Sequence, residues 1–291
     1  MAEGFDGDWL DLREEQDAWA RDPDLGAHLA EILPARPRLL DLGSGTGSLI
    51  RWLGPIIDRA QAWTMVDADA ELMSRAFDTM ADTAEMLGLS ATFPGKKTLL
   101  VHTPGGAWRI EGLLADLADA PDGLPLDRVD AVVCSALCDL VSRDWVARIA
   151  AACAGRSLPF YAALNVTGRD RFDPPSRGDA LVARGFRRDQ RRDKGFGGAA
   201  LGPAAVAVLE EAFTAQGYTV LRAASDWRLD RREGLLAAEI ITGHAKAALP
   251  WERRQSKAIL GWAETRRAQL LAGRLSVTIG HQDLLALPPP G

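Results

Sequence analysis

Leu39-Leu40-Asp41-Leu42-Gly43-Ser44-Gly45-Thr46-Gly47 is the stretch on which the fold turns. Residues 38–42 are an apolar run too short for a helix, and they enter a glycine-rich turn at once, the pattern of a buried parallel strand. Glycines at alternate positions let the backbone turn sharply and approach a ligand with no Cβ in the way. Residues 48–57 read as the helix that follows, its first N–H groups free to meet that ligand. A dinucleotide site would need G-x-G-x-x-G. Here the third position is Ser48, Gly47 is out of register, and Asp41 would repel a pyrophosphate. A loop carrying a carboxylate suits a cationic ligand without phosphate.

The same alternation runs outward in both directions. Upstream, residues 9–33 place Trp9, Leu12, Trp19, Leu25, Leu29 and Ile32 at helical spacing, and Pro34 and Pro37 stop that helix. Downstream, residues 62–67 read as a strand, 70–87 as a helix, 98–114 as a hairpin, 129–135 as a buried strand, 143–154 as a helix and 158–166 as a strand. Residues 167–200, rich in Arg, Asp, Gly and Pro, read as a lid. A helix over 202–216, a strand over 218–225, helices over 229–248 and 251–271 and a last strand over 275–280 complete the chain. Strands alternating with helices predict an α/β three-layer sandwich with a mostly parallel seven-stranded sheet and an antiparallel last strand. The division expected is an N-terminal helical arm (1–35), a core (36–228) holding the lid, a helical cap inserted between the last two strands (229–272), and the last strand and tail (273–291).

Composition narrows the function. The chain has 291 residues, 47% hydrophobic and 25% charged, enough for a full core without staples. Lys and Arg number 34 against 40 Asp and Glu, a net charge of −6, which makes nucleic acid an improbable partner for the chain as a whole. Cys134, Cys138 and Cys153 cannot form a complete disulfide set, and with His28, His102, His244 and His281 they offer no metal-ligand spacing. The acidic N-terminus lacks a signal peptide's apolar core, and no run approaches the ~20 apolar residues that span a bilayer. A soluble, cytoplasmic protein without membrane contact is expected.

Asp41-x-Gly43-x-Gly45-x-Gly47 resembles motif I of the class I S-adenosylmethionine-dependent methyltransferases, whose core is Rossmann-like. The resemblance covers roughly residues 36–225 and includes the order of elements. It implies S-adenosylmethionine as cofactor, with contacts from Asp41, Gly43, Ser44, Gly45 and Gly47. Asp67 and the adjacent Ala68 stand where the family receives the ribose, Asp116 and Leu117 where it receives the adenine amine, and Ser135 at the end of its fourth strand. Arg13 and Arg21 of the N-terminal helix are candidates to neutralise the cofactor's methionine carboxylate. The activity implied is methyl transfer to a small-molecule acceptor.

Ligands of open parallel sheets sit at the C-terminal strand ends, which selects Asp139 as base or orienting group and Asn165 as a polar contact. If residues 275–280 are the antiparallel seventh strand, the helices over 229–271 stand over that face as a cap. His281 then lies on the far face and is structural. Asp173-Pro174-Pro175-Ser176 is similar to the signature of base-amine methyltransferases, but follows the fifth strand instead of the fourth and falls in the lid. Arg184, Arg187, Arg188, Arg191, Arg192 and Lys194 are spaced to form a basic stripe on one helical face. That stripe is the feature an RNA or protein methyltransferase would use; a catalytically silent S-adenosylmethionine-binding partner subunit is the remaining alternative.

Overall fold

A computed structural model describes residues 6–95 and 97–290. The chain begins with α1 (Gly7–Ala20) and α2 (Pro23–Ile32), two helices where the apolar spacing predicts one. The break is local chemistry. Asp22 caps α2 by accepting from the Leu25 amide, and Pro23, which supplies no N–H and disfavours a helical residue before it, occupies the first turn.

The glycine turn is as the sequence predicts, with β1 (Arg38–Leu42) running into α3 (Ser48–Ile57). Then come β2 (Gln61–Asp67), α4 (Ala70–Met86), β3 (Ser90–Gly95), β4 (Thr98–Thr103), β5 (Gly106–Leu114), β6 (Ala131–Ser135), α5 (Arg143–Ala154) and β7 (Phe160–Val166). The chain continues with β8 (Arg171–Asp173), α6 (Asp179–Gln190), α7 (Ala205–Ala215), β9 (Thr219–Ala224), β10 (Trp227–Leu229), α8 (Gly234–Ala248), α9 (Ser256–Leu271), β11 (Ser276–Ile279) and β12 (His281–Leu287).

The main sheet has nine strands in the order β3-β4-β5-β2-β1-β6-β7-β12-β9. β5, β2, β1, β6 and β7 pair in parallel, and β12 is antiparallel to both β7 and β9. The two strands beyond the expected seven are β3 and β4, an antiparallel extension beside β5. β4 and β5 are the predicted hairpin. β3, exposed along almost all its length, lacks the buried side that would mark it in the sequence. Apolar residues on one sheet face pack under α2, α3 and α4, with Leu39, Trp63 and Tyr161 pointing that way. On the other face, Leu40, Leu42, Val132 and Phe160 pack under α5 and α7.

The last strand corrects the sequence reading. Residues 276–279 do not close the main sheet; β11 lies in a second, three-stranded sheet between β10 and β8. The seventh strand is β12, which follows after the single residue Gly280. A Cβ on Gly280 would come within 2.3 Å of the Thr167 hydroxyl oxygen, so only glycine lets the two sheets meet there. β12 is buried over nearly its whole length, as a central strand must be, whereas β11 alternates between exposed and buried residues.

The small sheet, α6, α8 and α9 share one apolar core that includes Phe172, Val182, Trp227, Leu236, Trp262 and Ile279. The segment expected as a lid therefore packs together with the cap. Arg266, fully buried, seals the two: it donates to both oxygens of Asp179 and to the Pro174 carbonyl. The chain enters this unit from the C-terminal ends of β7 and β9 and leaves it through the segment from α6 to α7, which bonds to the loop after β6, and at the start of antiparallel β12, so the cap stands over that face.

Candidate active site

Three consecutive odd-numbered glycines make the turn after β1: Gly43, Gly45 and Gly47 have φ of 66°, 51° and 79°. Side chains rarely adopt this region. The Gly43 and Ser44 amides both donate to the Val66 carbonyl at 2.8 and 3.1 Å, tying the turn to β2. Space is also short, since a Cβ on Gly45 would lie 3.1 Å from Leu10 of α1. Asp67, at the end of β2, accepts from the Gly45 amide (2.8 Å) and the Asp69 amide (3.0 Å), which holds its carboxylate at the rim of the turn.

A narrow cleft of about 50 Å³ lies between this turn, α1 and the end of β6. Arg13, Asp41, Gly43, Ser44, Gly45 and Ser135, all singled out in the sequence, line it together with Leu10 and Asp17. Ala68 and Asp116 are exposed at neighbouring strand ends, outside the cleft. Asp116 caps a short 3-10 turn by accepting from the Ala118 amide. Leu117 packs into the core while its carbonyl accepts from the Trp145 indole.

The electrostatics of the cleft are unbalanced. Asp41 is fully buried, neither carboxylate oxygen has a hydrogen-bond partner, and burial pushes its pKa up to about 8 against the opposing pull of Arg21. Arg21 is equally buried; one of its terminal nitrogens donates to the hydroxyls of Ser48 (3.0 Å) and Ser135 (3.1 Å). Its Nε and other terminal nitrogen have no partner, and neither has the buried Ser44 hydroxyl. Each such buried orphan costs about 1–3 kcal/mol, so a concentration of them beside a glycine turn marks a place built for a ligand. Arg13, Asp17 and Arg21 sit one turn apart on α1, with Arg13 held on both oxygens of Asp17. That i, i+4, i+8 spacing of charges is the sequence signal by which Asp17 could have been found.

No protein-family model matches the sequence, and no curated protein matches it. Solved structures do. A cyclopropane-fatty-acyl-phospholipid synthase-like protein from Lactobacillus casei superposes with a TM-score of 0.52 at 12% identity, covering 94% of this chain and 99% of the other. A candidate type II methyltransferase from Anaeromyxobacter dehalogenans gives 0.50 at 19% identity, covering 92% and 96%. The fold is the Rossmann-like methyltransferase fold.

The C-terminal ends of β6 and β7 and the start of antiparallel β12 lie on the same edge of the sheet as the glycine turn, and they carry the remaining candidates. Asp139 follows β6; burial raises its pKa to about 6 despite Arg13 and Lys194, and its Oδ1 is buried without a partner. Asn165 is held to the sheet through its amide nitrogen, which donates to the Ala162 and Gln282 carbonyls at 2.9 and 3.0 Å at the bulge where β12 shifts register, while its Oδ1 is buried without a partner. The three cysteines are free and buried.

His281 is not on the far face. It opens β12 opposite Val166, at the C-terminal end of β7, because the strand that closes the sheet starts at residue 281 instead of ending before it. Its amide donates to Asp226, its ring meets the Trp227 indole with centroids 5.0 Å apart, and burial, helped by Arg13, lowers its pKa to about 4. Its Nδ1 and the Trp227 Nε1 are buried without partners. The Arg13 guanidinium lies 4.8 Å from the Trp227 ring centre and 5.9 Å from that of Trp9, so α1 connects the cleft to the cap.

Asp283, two residues on, escaped the sequence reading. Fully buried, it accepts from the Leu164 and Asp22 amides and the Ser225 and Tyr161 hydroxyls. The Asp22 contact fixes the α1–α2 junction and hence the backbone that carries Arg21. The basic stripe, in contrast, is partly paired, two carboxylates being shared by four of its six cations. Arg184 and Arg188 pair with Glu252, and Arg192 and Lys194 with Asp189.

Proposed function

We propose that this chain transfers a methyl group from S-adenosylmethionine to a small-molecule acceptor. The observation that carries the reading is the pair of buried, incompletely bonded charges beside the glycine turn, Asp41 and Arg21. A free amino acid end offers the complement: its ammonium would meet Asp41, and its carboxylate the spare guanidinium N–H groups of Arg21 with the Ser44 hydroxyl. Asp67 at the rim has carboxylate lone pairs for the cis-diol of a ribose. Asp41, which lines the cleft at the turn, would repel a pyrophosphate, which argues against a dinucleotide.

When bound, the cofactor supplies an electrophilic methyl on a sulfonium. The residues of this chain bind and orient it, and α1 with the cap shields the site from water. Asp139, four residues past β6, is the residue we assign to orienting the acceptor, and its buried Oδ1 without a partner supports that assignment. The acceptor is read as a small molecule because the cap closes over the strand ends. Glu252 and Asp189, each shared by two cations of the basic stripe, reduce the charge it offers to RNA phosphates without cancelling it. Among the described residues no helix is long and apolar enough to cross a membrane.

The test is thermal unfolding with S-adenosylhomocysteine or NAD. At ~100 times its dissociation constant the right ligand stabilises by about 2.7 kcal/mol. S-adenosylhomocysteine is expected to stabilise and NAD not to, and Asp67→Ala should weaken the effect. Equal stabilisation by NAD sinks the reading. Binding of S-adenosylmethionine with no demethylated product formed across a broad acceptor panel would favour the silent partner subunit.

A further inference from the structure

The cap side of the site carries two more buried orphans, and they touch. Trp227 belongs to β10 of the small sheet and His281 to β12 of the main sheet, so the two rings meet where the cap joins the core. The indole Nε1–H is a donor without an acceptor, and the imidazole Nδ1 is a ring nitrogen without a partner. Packing alone accounts for neither, because a Phe or Leu would fill the same space without stranding a polar atom. Trp9 lies against Trp227 with centroids 6.5 Å apart, and Arg13, which also lines the cofactor cleft, covers the other side.

We propose that His281 and Trp227 receive the hydroxyl group of the methyl acceptor, which makes the chain an O-methyltransferase for an apolar molecule bearing a hydroxyl. A hydroxyl offers what each orphan lacks, a proton for the imidazole nitrogen and a lone pair for the indole N–H. With its hydrogen on Nε2, the imidazole accepts the hydroxyl proton at Nδ1, and the indole N–H donates to one oxygen lone pair. The other lone pair stays free for attack. An ammonium has no lone pair for the indole to donate to, and a carboxylate has no proton for the imidazole to accept.

The proposal rests on the methyltransferase reading, and the step balances within it. An oxygen lone pair forms the O–CH3 bond, the C–S bond breaks with its electrons staying on sulfur, and the hydroxyl proton passes to Nδ1 of His281. Burial and Arg13 keep this imidazole neutral near pH 7, so it is ready to accept. A weak base suffices, because the oxygen becomes strongly acidic as it gains its third bond. The carboxylates of Asp17, Asp170 and Asp226 surround the imidazolium that results.

The probes are phenol and its methyl ether, anisole, which matches phenol in shape and lacks the O–H. The full chain, with 15N-labelled histidine, is titrated with each probe in the presence and absence of S-adenosylhomocysteine. Phenol is expected to shift the His281 imidazole nitrogens, with anisole at least about tenfold weaker. Trp227→Phe should weaken phenol by about tenfold, and His281→Phe should abolish the discrimination between the two probes while leaving S-adenosylhomocysteine affinity within about twofold. Equal affinities for phenol and anisole in the native chain, or phenol affinity unchanged by both substitutions, overturns the proposal without relying on any variant's activity. Failure of S-adenosylhomocysteine to bind in the same samples overturns the methyltransferase reading instead, and the phenol titration of the ligand-free chain still reports on the hydroxyl site.

Discussion

Asp41→Asn should make the ligand-free protein more stable, by an amount that grows with pH. In the folded chain burial raises the Asp41 pKa from 3.8 to about 8. The unfolded chain therefore loses this proton first as the pH rises, and the stability present below about pH 4 drains away until the folded carboxyl ionises near pH 8. The loss runs at about 1.4 kcal/mol per pH unit across that window. Asparagine keeps the shape and has nothing to ionise. Relative to wild type, the variant should gain about 1.5 kcal/mol at pH 5, about 3 at pH 6 and about 4 at pH 7, then level off above pH 8. Urea unfolding of both proteins at these three pH values and once above pH 8, without ligand, reads the difference directly. A difference flat in pH, or a variant that is less stable at pH 7 than at pH 5 relative to wild type, would refute the argument that Asp41 is a desolvated, unpaired carboxyl. A second readout uses the ligand. An ammonium docking on Asp41 must ionise it, so S-adenosylhomocysteine binding at pH 7 should release close to one proton, seen as a dependence of the calorimetric enthalpy on the buffer. The variant should bind more weakly and release none from this site.

Gly45→Ala forces a side chain into φ 51° and against Leu10, which should cost about 1–2 kcal/mol in thermal unfolding and loosen α1. Wild-type stability in this variant would mean that α1 does not press on the turn. Asp283→Ala strands two backbone amides and two hydroxyls in the core, so a loss above about 3 kcal/mol in urea unfolding is expected, together with weaker S-adenosylhomocysteine binding through Arg21. Lost stability with unchanged ligand affinity would separate Asp283 from the site.

The parts of the site that were legible are local. Asp41, the three glycines and Asp67 each announce themselves by residue type next to a short apolar run. Arg21 was named, but nothing in its neighbours shows that it is the more deeply buried of the two α1 arginines; Asp22 and Asp283, far apart in sequence, put it there. Asn165 looked like a free polar group at a strand end, yet its amide closes a β-bulge formed with a strand more than a hundred residues away.

By itself the sequence determined the alternation of strands and helices, the sharp turn after β1 and the carboxylates flanking it, because hydrophobic period and glycine placement act over a few residues. Sheet membership was decided only by tertiary structure. Residues 275–287 hold two strands separated by one glycine, and either could pair with β7 on propensity alone. The choice fell to β12 because its nearly continuous burial needs both faces of its sheet covered, as the two core layers of the main sheet provide, while alternating β11 needs only one covered face. That choice carried His281 from the far side of the sheet to the side where the ligands sit, since in a closing antiparallel strand the first residue, and not the last, lies at the parallel strands' C-terminal ends.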